Sequence, residues 1–168
     1  MSEVKVAKDL ENKKLTVEYV ANGPIEKVWS AYAEKDMFEK WWGPEGWETT
    51  AKEFTFEPGG RIHYAMKCID ERQGDWFGKE TWGLMEIQSI TPSSSFTYKD
   101  YFSDETGVSN NDMPALIITN EFFEQDGKTK IISTSLADSA EQIEQLINMG
   151  MIEGFTSQLG KLDTLVSL

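Results

Sequence analysis

The sequence predicts an α+β protein: one strand, two short helices, about six consecutive antiparallel strands, and a long amphipathic helix at the C-terminus. Three observations predict it. From residue 47 to 136 the apolar residues recur mostly with period two, between Gly- and Pro-bearing turns. Strands joined by such short turns pair antiparallel. Ile143, Ile147, Met151, Phe155, Leu159, Leu162 and Val166 then recur at steps of three and four, the signature of one helix with an apolar stripe.

The elements follow in order. Residues 1–14 are charged and aperiodic and are expected to form a mobile arm or an edge segment. Leu15–Val20 alternates and is β-branched, which predicts a strand. Asn22-Gly23-Pro24 is a turn, and Pro24 suits the first position of a helix carrying Ile25, Val28, Trp29 and Tyr32. Asp36 is placed to cap a second short helix carrying Met37, Phe38 and Trp41, which Gly43-Pro44-Glu45-Gly46 ends. Thr49–Phe56 reads as a strand, and Pro58-Gly59-Gly60 as a turn. Arg61–Cys68 alternates, with Ile62, Tyr64, Met66 and Cys68 on one face and Arg61, His63, Ala65 and Lys67 on the other, expected to be solvated.

Asp70–Asp75 is a polar connection. Phe77–Ile90 is a long strand or a bent pair, in which Gly83 marks a bulge or a close approach. Phe96–Phe102 is a strand, 103–114 a polar loop, and Ala115–Glu124 with Lys128–Leu136 a hairpin around Gln125-Asp126-Gly127. Asp138 or Ser139 caps the terminal helix, with Glu141 or Gln142 at capping-box spacing. Gly150 and Gly154 fall inside that helix, where each costs about 1 kcal/mol relative to Ala. Close backbone packing is the expected compensation, and space for a ligand the alternative.

At 168 residues the chain has the length of one domain with a sizeable core. Its formal net charge of −13 excludes a phosphate-backbone binder, so no nucleic-acid partner is expected. Cys68 is the single cysteine, so no internal disulfide forms, and its apolar strand face predicts a buried, inert thiol. The polar N-terminus lacks the apolar run of a signal peptide, and no stretch is long and apolar enough to span a membrane; a cytoplasmic location is expected. Six Trp, nine Phe and five Tyr are more than the polar surface can take, and they point to a filled core or a roomy apolar pocket.

Three stretches resemble a known family: Val28-Trp29-Ser30-Ala31-Tyr32, Phe38-Glu39-Lys40-Trp41-Trp42-Gly43-Pro44-Glu45-Gly46, and Glu57-Pro58-Gly59-Gly60-Arg61. They look like the signatures of the family named after the activator of the Hsp-90 ATPase homologue, within the START-like (SRPBCC, birch-pollen-allergen-like) superfamily. Gly150-Met151-Ile152-Glu153-Gly154-Phe155 with Leu159 and Leu162 is similar to its terminal-helix pattern, with Phe155 where the family usually has Trp. The resemblance implies a helix-grip fold: a curved antiparallel sheet of six or seven strands wrapped around the C-terminal helix, with a cavity between. It implies cavity walls from Trp41, Trp42 and Trp47 at the mouth and Tyr64, Met66, Met85, Met151 and Phe155 within.

Little in the sequence supports catalysis. A zinc site would have only His63 and Cys68 to draw on, and a Ser–His–Asp triad would need His63 with a G-x-S-x-G elbow that is missing. Asp104, Glu105 and Asp112 lack calcium-loop spacing and read as a solvated loop. No metal or cofactor is expected. An inward-facing Glu86 or Glu121 would be a catalytic candidate, as would Arg61 and His63 if their face lined the cavity. The leading expectation is therefore non-catalytic binding of a small hydrophobic or amphipathic molecule. The alternatives are a stress-related, co-chaperone-like module whose partner is a chaperone or other protein, and a cyclase- or hydrolase-type enzyme.

Overall fold

The structure, a computed structural model, describes residues 3–167; the first two residues of the expected N-terminal arm lie outside it. The elements are β1 (Lys5–Asp9), β2 (Lys14–Ala21), α1 (Ile25–Ala33), α2 (Lys35–Trp41), β3 (Trp47–Phe54), β4 (Arg61–Cys68), a short 3-10 segment (Glu71–Trp76), β5 (Glu80–Thr91), β6 (Ser95–Ser103), β7 (Leu116–Gln125), β8 (Lys128–Leu136), α3 (Ala140–Asn148) and α4 (Met151–Val166). The strands form one antiparallel sheet in the order β1-β2-β8-β7-β6-β5-β4-β3. Helices α1 and α2 carry the chain from β2 to β3 at the far edge. Helix α4 packs against α1, α2 and β2. This is the helix-grip arrangement.

The sheet has eight strands rather than six or seven. The extra one is β1, an edge strand in register with β2 from Lys5↔Glu18 to Asp9↔Lys14. Its alternation of Val4 and Val6 with charged residues is short, and the neighbouring ladder supplies what propensity lacks. A turn holds the pair together: Asn12 donates from its backbone N–H and from Nδ2 to the Asp9 carboxylate, at 3.2 and 2.8 Å.

The helix starts differ from expectation by small steps. Pro24 is the N-cap of α1 and not its first helical residue, with Lys27 and Val28 donating to its carbonyl. Glu34, not Asp36, precedes α2; Asp36 sits in the first turn, where the helix dipole favours a carboxylate. Ser139 caps α3 by accepting from the Gln142 N–H at 3.2 Å, and the Gln142 side chain accepts from the Asp138 N–H at 3.0 Å. The β7–β8 hairpin turns on Asp126 and Gly127, both with positive φ, the two-residue turn that fits strand twist.

The expected single C-terminal helix is two helices. Gly150 has φ 92°, a left-handed conformation that ends α3 and begins α4, so the apolar stripe continues through a break. Hydrogen bonds then fix α4 over the sheet. The Asp163 carboxylate accepts from the Asn22 N–H at 2.9 Å, in the β2–α1 turn. Gln158 Oε1 accepts from the Gly43 N–H at 2.7 Å, and Lys161 Nζ donates to the Gly43 carbonyl at 3.1 Å. Beside these anchors Leu159, Leu162 and Val166 are fully buried.

Sheet and helix do not fill the space between them evenly. Around α1 it is packed with rings: Trp29 meets Phe56, Phe96 and Phe122 edge-on at 5.5–5.9 Å, and Tyr32 meets Trp41 at 4.7 Å. At the other end the inward positions are small: Gly83 on β5, Ser133 and Ser135 on β8, and Gly154 on α4. A Cβ on Gly154 would meet nothing within 4 Å. The compensation for this glycine is open space, not the close backbone packing expected.

The two glycines of α3–α4 should therefore behave oppositely. Gly150→Ala forces an L-residue into the left-handed region and should cost about 1–2 kcal/mol. Gly154→Ala gains helix propensity without a clash and should stabilise by about 0.5–1 kcal/mol. Urea unfolding midpoints of the two variants check this; destabilisation by Gly154→Ala would show that the position is packed.

Candidate functional site

A cavity of about 380 Å³ opens where those small residues meet. Its sheet wall comes from Leu15 and Val17 (β2), Tyr64 and Met66 (β4), Gly83 (β5), Tyr98 and Asp100 (β6), Leu116 and Ile118 (β7) and Ser133 and Ser135 (β8). Its helix wall is Leu146 of α3 and Met151, Gly154, Phe155 and Gln158 of α4, with Trp42 and Pro44 closing one side. The rim has exposed apolar side chains: Met149 at 53%, Val6 at 40% and Phe102 at 37%. The break at Gly150 therefore lies at the mouth.

Gly83 explains how Tyr64 reaches this wall. A Cβ there would stand 2.4 Å from the Tyr64 ring, so the ring lies directly over the glycine. The Trp42 ring stacks on Phe38 at 4.9 Å and meets Tyr64 edge-on at 6.0 Å. Its backbone is fixed by the short bond from Thr49 Oγ1 to its carbonyl. The loop after it is fixed by Gln158 and by Ser157 Oγ, which accepts from the Glu45 N–H at 2.8 Å.

Of the residues expected to line a cavity, Trp42, Tyr64, Met66, Met151 and Phe155 do. The other three are placed elsewhere. Trp41 is fully buried beneath the wall, with its indole N–H on the Ala31 carbonyl at 2.7 Å. Trp47 leans outward, with its indole N–H on Gln73 Oε1 at 3.0 Å and its ring 6.0 Å from Trp76. Met85 is buried in the core. In the run Trp-Trp-Gly-Pro-Glu-Gly-Trp one tryptophan thus faces the cavity, one the core and one the surface.

The four polar catalytic candidates lie away from the cavity. Arg61 and His63 alternate with Tyr64 on β4, Glu86 with Met85 on β5, and Glu121 with Asn120 and Phe122 on β7, so all four project from the outer face. That face is not solvated around His63, which is 3% exposed. The loop 103–114 folds over it: His63 Nε2 donates to the Asp104 carbonyl at 2.9 Å, Arg61 to the Gly107 carbonyl at 3.3 Å, and Lys52 to the Glu105 carbonyl at 2.8 Å. The Trp82 ring lies 4.8 Å from the imidazole. The Asp104 carboxylate organises the loop by accepting from the Thr106 hydroxyl and from the N–H groups of Val108 and Thr106, and those bonds hold it below the usual carboxylate range. Cys68 is buried, as its strand face suggested. Among the described residues, no three His, Cys, Asp or Glu side chains gather into a group able to hold a metal ion.

The residue that sequence reasoning missed is Asp100. Phe96, Tyr98 and Asp100 share the inward face of β6, so a carboxylate continues an apolar row. That break in the alternation was its sequence signal. The residue is half-buried, but its Oδ1 is shielded from solvent and makes no hydrogen bond among the described residues. Burial pushes its carboxyl up to about 7. Tyr64 and Tyr98 are raised as well, by burial first and by the Asp100 charge second, which keeps both hydroxyls protonated as neutral donors.

The sign of the linkage is defined. Asp100 holds a proton up to about pH 7 in the folded chain but only to its ordinary 3.8 when unfolded. Between those values the folded state binds more protons, so this group's contribution to stability falls as pH rises. Asp100→Asn removes that loss. The melting temperature of the variant should match wild type near pH 4, exceed it increasingly up to about pH 7 and gain little more above that; a difference that does not change with pH would contradict the assignment.

The sequence model of the family described as activator of Hsp90 ATPase homolog 1-like protein matches residues 22–167. A Mycobacterium smegmatis protein of known crystal structure is 32% identical, with 98% of this chain and 97% of that one covered and a TM-score of 0.86. A Staphylococcus epidermidis protein solved in solution is 28% identical, over 96% and 92% of the two chains, with a TM-score of 0.80. One from Arthrobacter aurescens shares the fold at 24% identity and a TM-score of 0.87, over 97% and 91%. No curated protein matches the sequence.

Proposed function

The chain belongs to the family of activator of Hsp90 ATPase homolog 1-like proteins, and from that membership and its cavity we propose that it binds a small hydrophobic or amphipathic molecule without transforming it. The observation that carries this reading is the cavity between sheet and α4. At about 380 Å³ it falls in the range of small-molecule sites, about 300–1,000 Å³, and its walls are mostly apolar with a few convergent polar groups. Met66, Met149 and Met151 suit such a site, because the unbranched thioether adapts to varied shapes. The outward placement of Glu86, Glu121, Arg61 and His63 leaves Asp100 without a second charged side chain beside it at the cavity among the described residues, which supports binding over paired acid–base chemistry. Among the described residues no helix is long and apolar enough to cross a membrane.

Thermal shift with a panel of alkyl and aromatic alcohols, amines and acids, sterols and flavonoids tests the reading. A ligand at 100 times its dissociation constant adds about 2.7 kcal/mol, a rise of about 5–10 °C for a chain of this size. Gly154→Leu, which projects a side chain into the open space, should fold and abolish the shift. No shift from any class, or one that survives in Gly154→Leu, would contradict the reading.

A further inference from the structure

We propose that the ligand is cationic: an apolar body carrying a protonated amine whose N–H groups bind the Asp100 carboxylate. The inference rests on the cavity being a ligand site, and it names the chemistry of that ligand.

Among the described residues, Asp100 is the single charged side chain lining the cavity, and no Lys, Arg or His lines it. Lys99, the nearest cation in sequence, lies on the other side of β6, with its ammonium 5.1 Å from the Tyr101 ring. The positions directly opposite Asp100 in register are Met85 and Leu116, which offer no donor. Of the two tyrosine hydroxyls on the same wall, that of Tyr98 is engaged by Asn120 and that of Tyr64 by Trp42. Oδ1 is thus an acceptor held out of water with no hydrogen-bond partner among the described residues, an arrangement that costs stability. A ligand supplying a charged donor removes that penalty and forms a charge-assisted hydrogen bond in a low-dielectric site.

The surroundings suit a cation. The rings of Trp42, Tyr64, Tyr98 and Phe102 line the same cavity and offer faces for an ammonium group. The net charge of −13 draws cations toward the chain and repels carboxylates. An anionic amphiphile such as a fatty acid would instead set its head group beside Asp100 with no counter-ion.

Three ligands sharing one chain separate the possibilities: decylamine, decanol and decanoate, titrated calorimetrically at pH 8 into wild type and Asp100→Asn. At that pH the Asp100 carboxyl is ionised and the amine is charged. Decylamine should bind about tenfold or more tightly than decanol, and decanoate the weakest. Asp100→Asn keeps the shape of the side chain and should bring decylamine to the affinity that decanol has for the same variant. Decanol or decanoate binding as tightly as decylamine in wild type would overturn the cationic ligand and leave the cavity reading standing. An amine preference that survives in Asp100→Asn would overturn it equally. Binding by none of the three would overturn both.

Discussion

The position of α4 over the sheet governs everything at the site. Its burial is apolar, but its placement comes from two polar side chains tied to backbone amides of distant loops. Asp163 holds the turn before α1 and Gln158 holds Gly43 after α2. Each is buried, so losing one partner would strand the other without water to replace it. With the helix fixed at both points, it cannot settle onto the sheet where the inward residues are small. The cavity is the space this leaves beside Gly83, Ser133, Ser135 and Gly154. The aromatic cluster around Trp29 and Phe96 fills the other end and carries the packing that the cavity end forgoes.

The same division separates stability from chemistry. The outer face of β3–β5 carries the histidine and the arginine, each bonded to a carbonyl of the polar loop. The inner face carries Asp100, whose Oδ1 has no hydrogen-bond partner among the described residues. A buried group without a partner stands out more than a perturbed but satisfied one, because the fold gains nothing from it. Asp100 costs the empty protein and can repay a ligand.

Fold and site were unequally legible. The strands from Arg61 onward and the C-terminal stripe were readable because a two-residue or a three-to-four-residue period is set by which face is buried. Strand β1 was readable only as the edge-segment alternative to a mobile arm, since its register comes from β2 and not from its own residues. The break at Gly150 was hidden because the stripe keeps its step across it; only backbone dihedrals distinguish a helical glycine from a left-handed one. Trp41, Trp42 and Trp47 show the limit at the site. Adjacent aromatics in an irregular turn point in different directions, and composition cannot say which one meets the cavity. His63 was misjudged because alternation gives a residue's face but not what folds over that face; the 103–114 loop does. Asp100 was present in the sequence as one polar residue in an apolar row, a signal that has meaning only once the row is known to face a void.

The most direct measurement is carbon–proton NMR of the protein labelled at its methionine methyls, titrated with a ten-carbon amine or alcohol. Met66, Met149 and Met151 line the cavity, while Met37 lies on α2 against the packed end. The account predicts large, saturable shifts for the first three and almost none for Met37. Uniform small shifts, or shifts largest at Met37, would show that the ligand does not occupy the space between the sheet and α4.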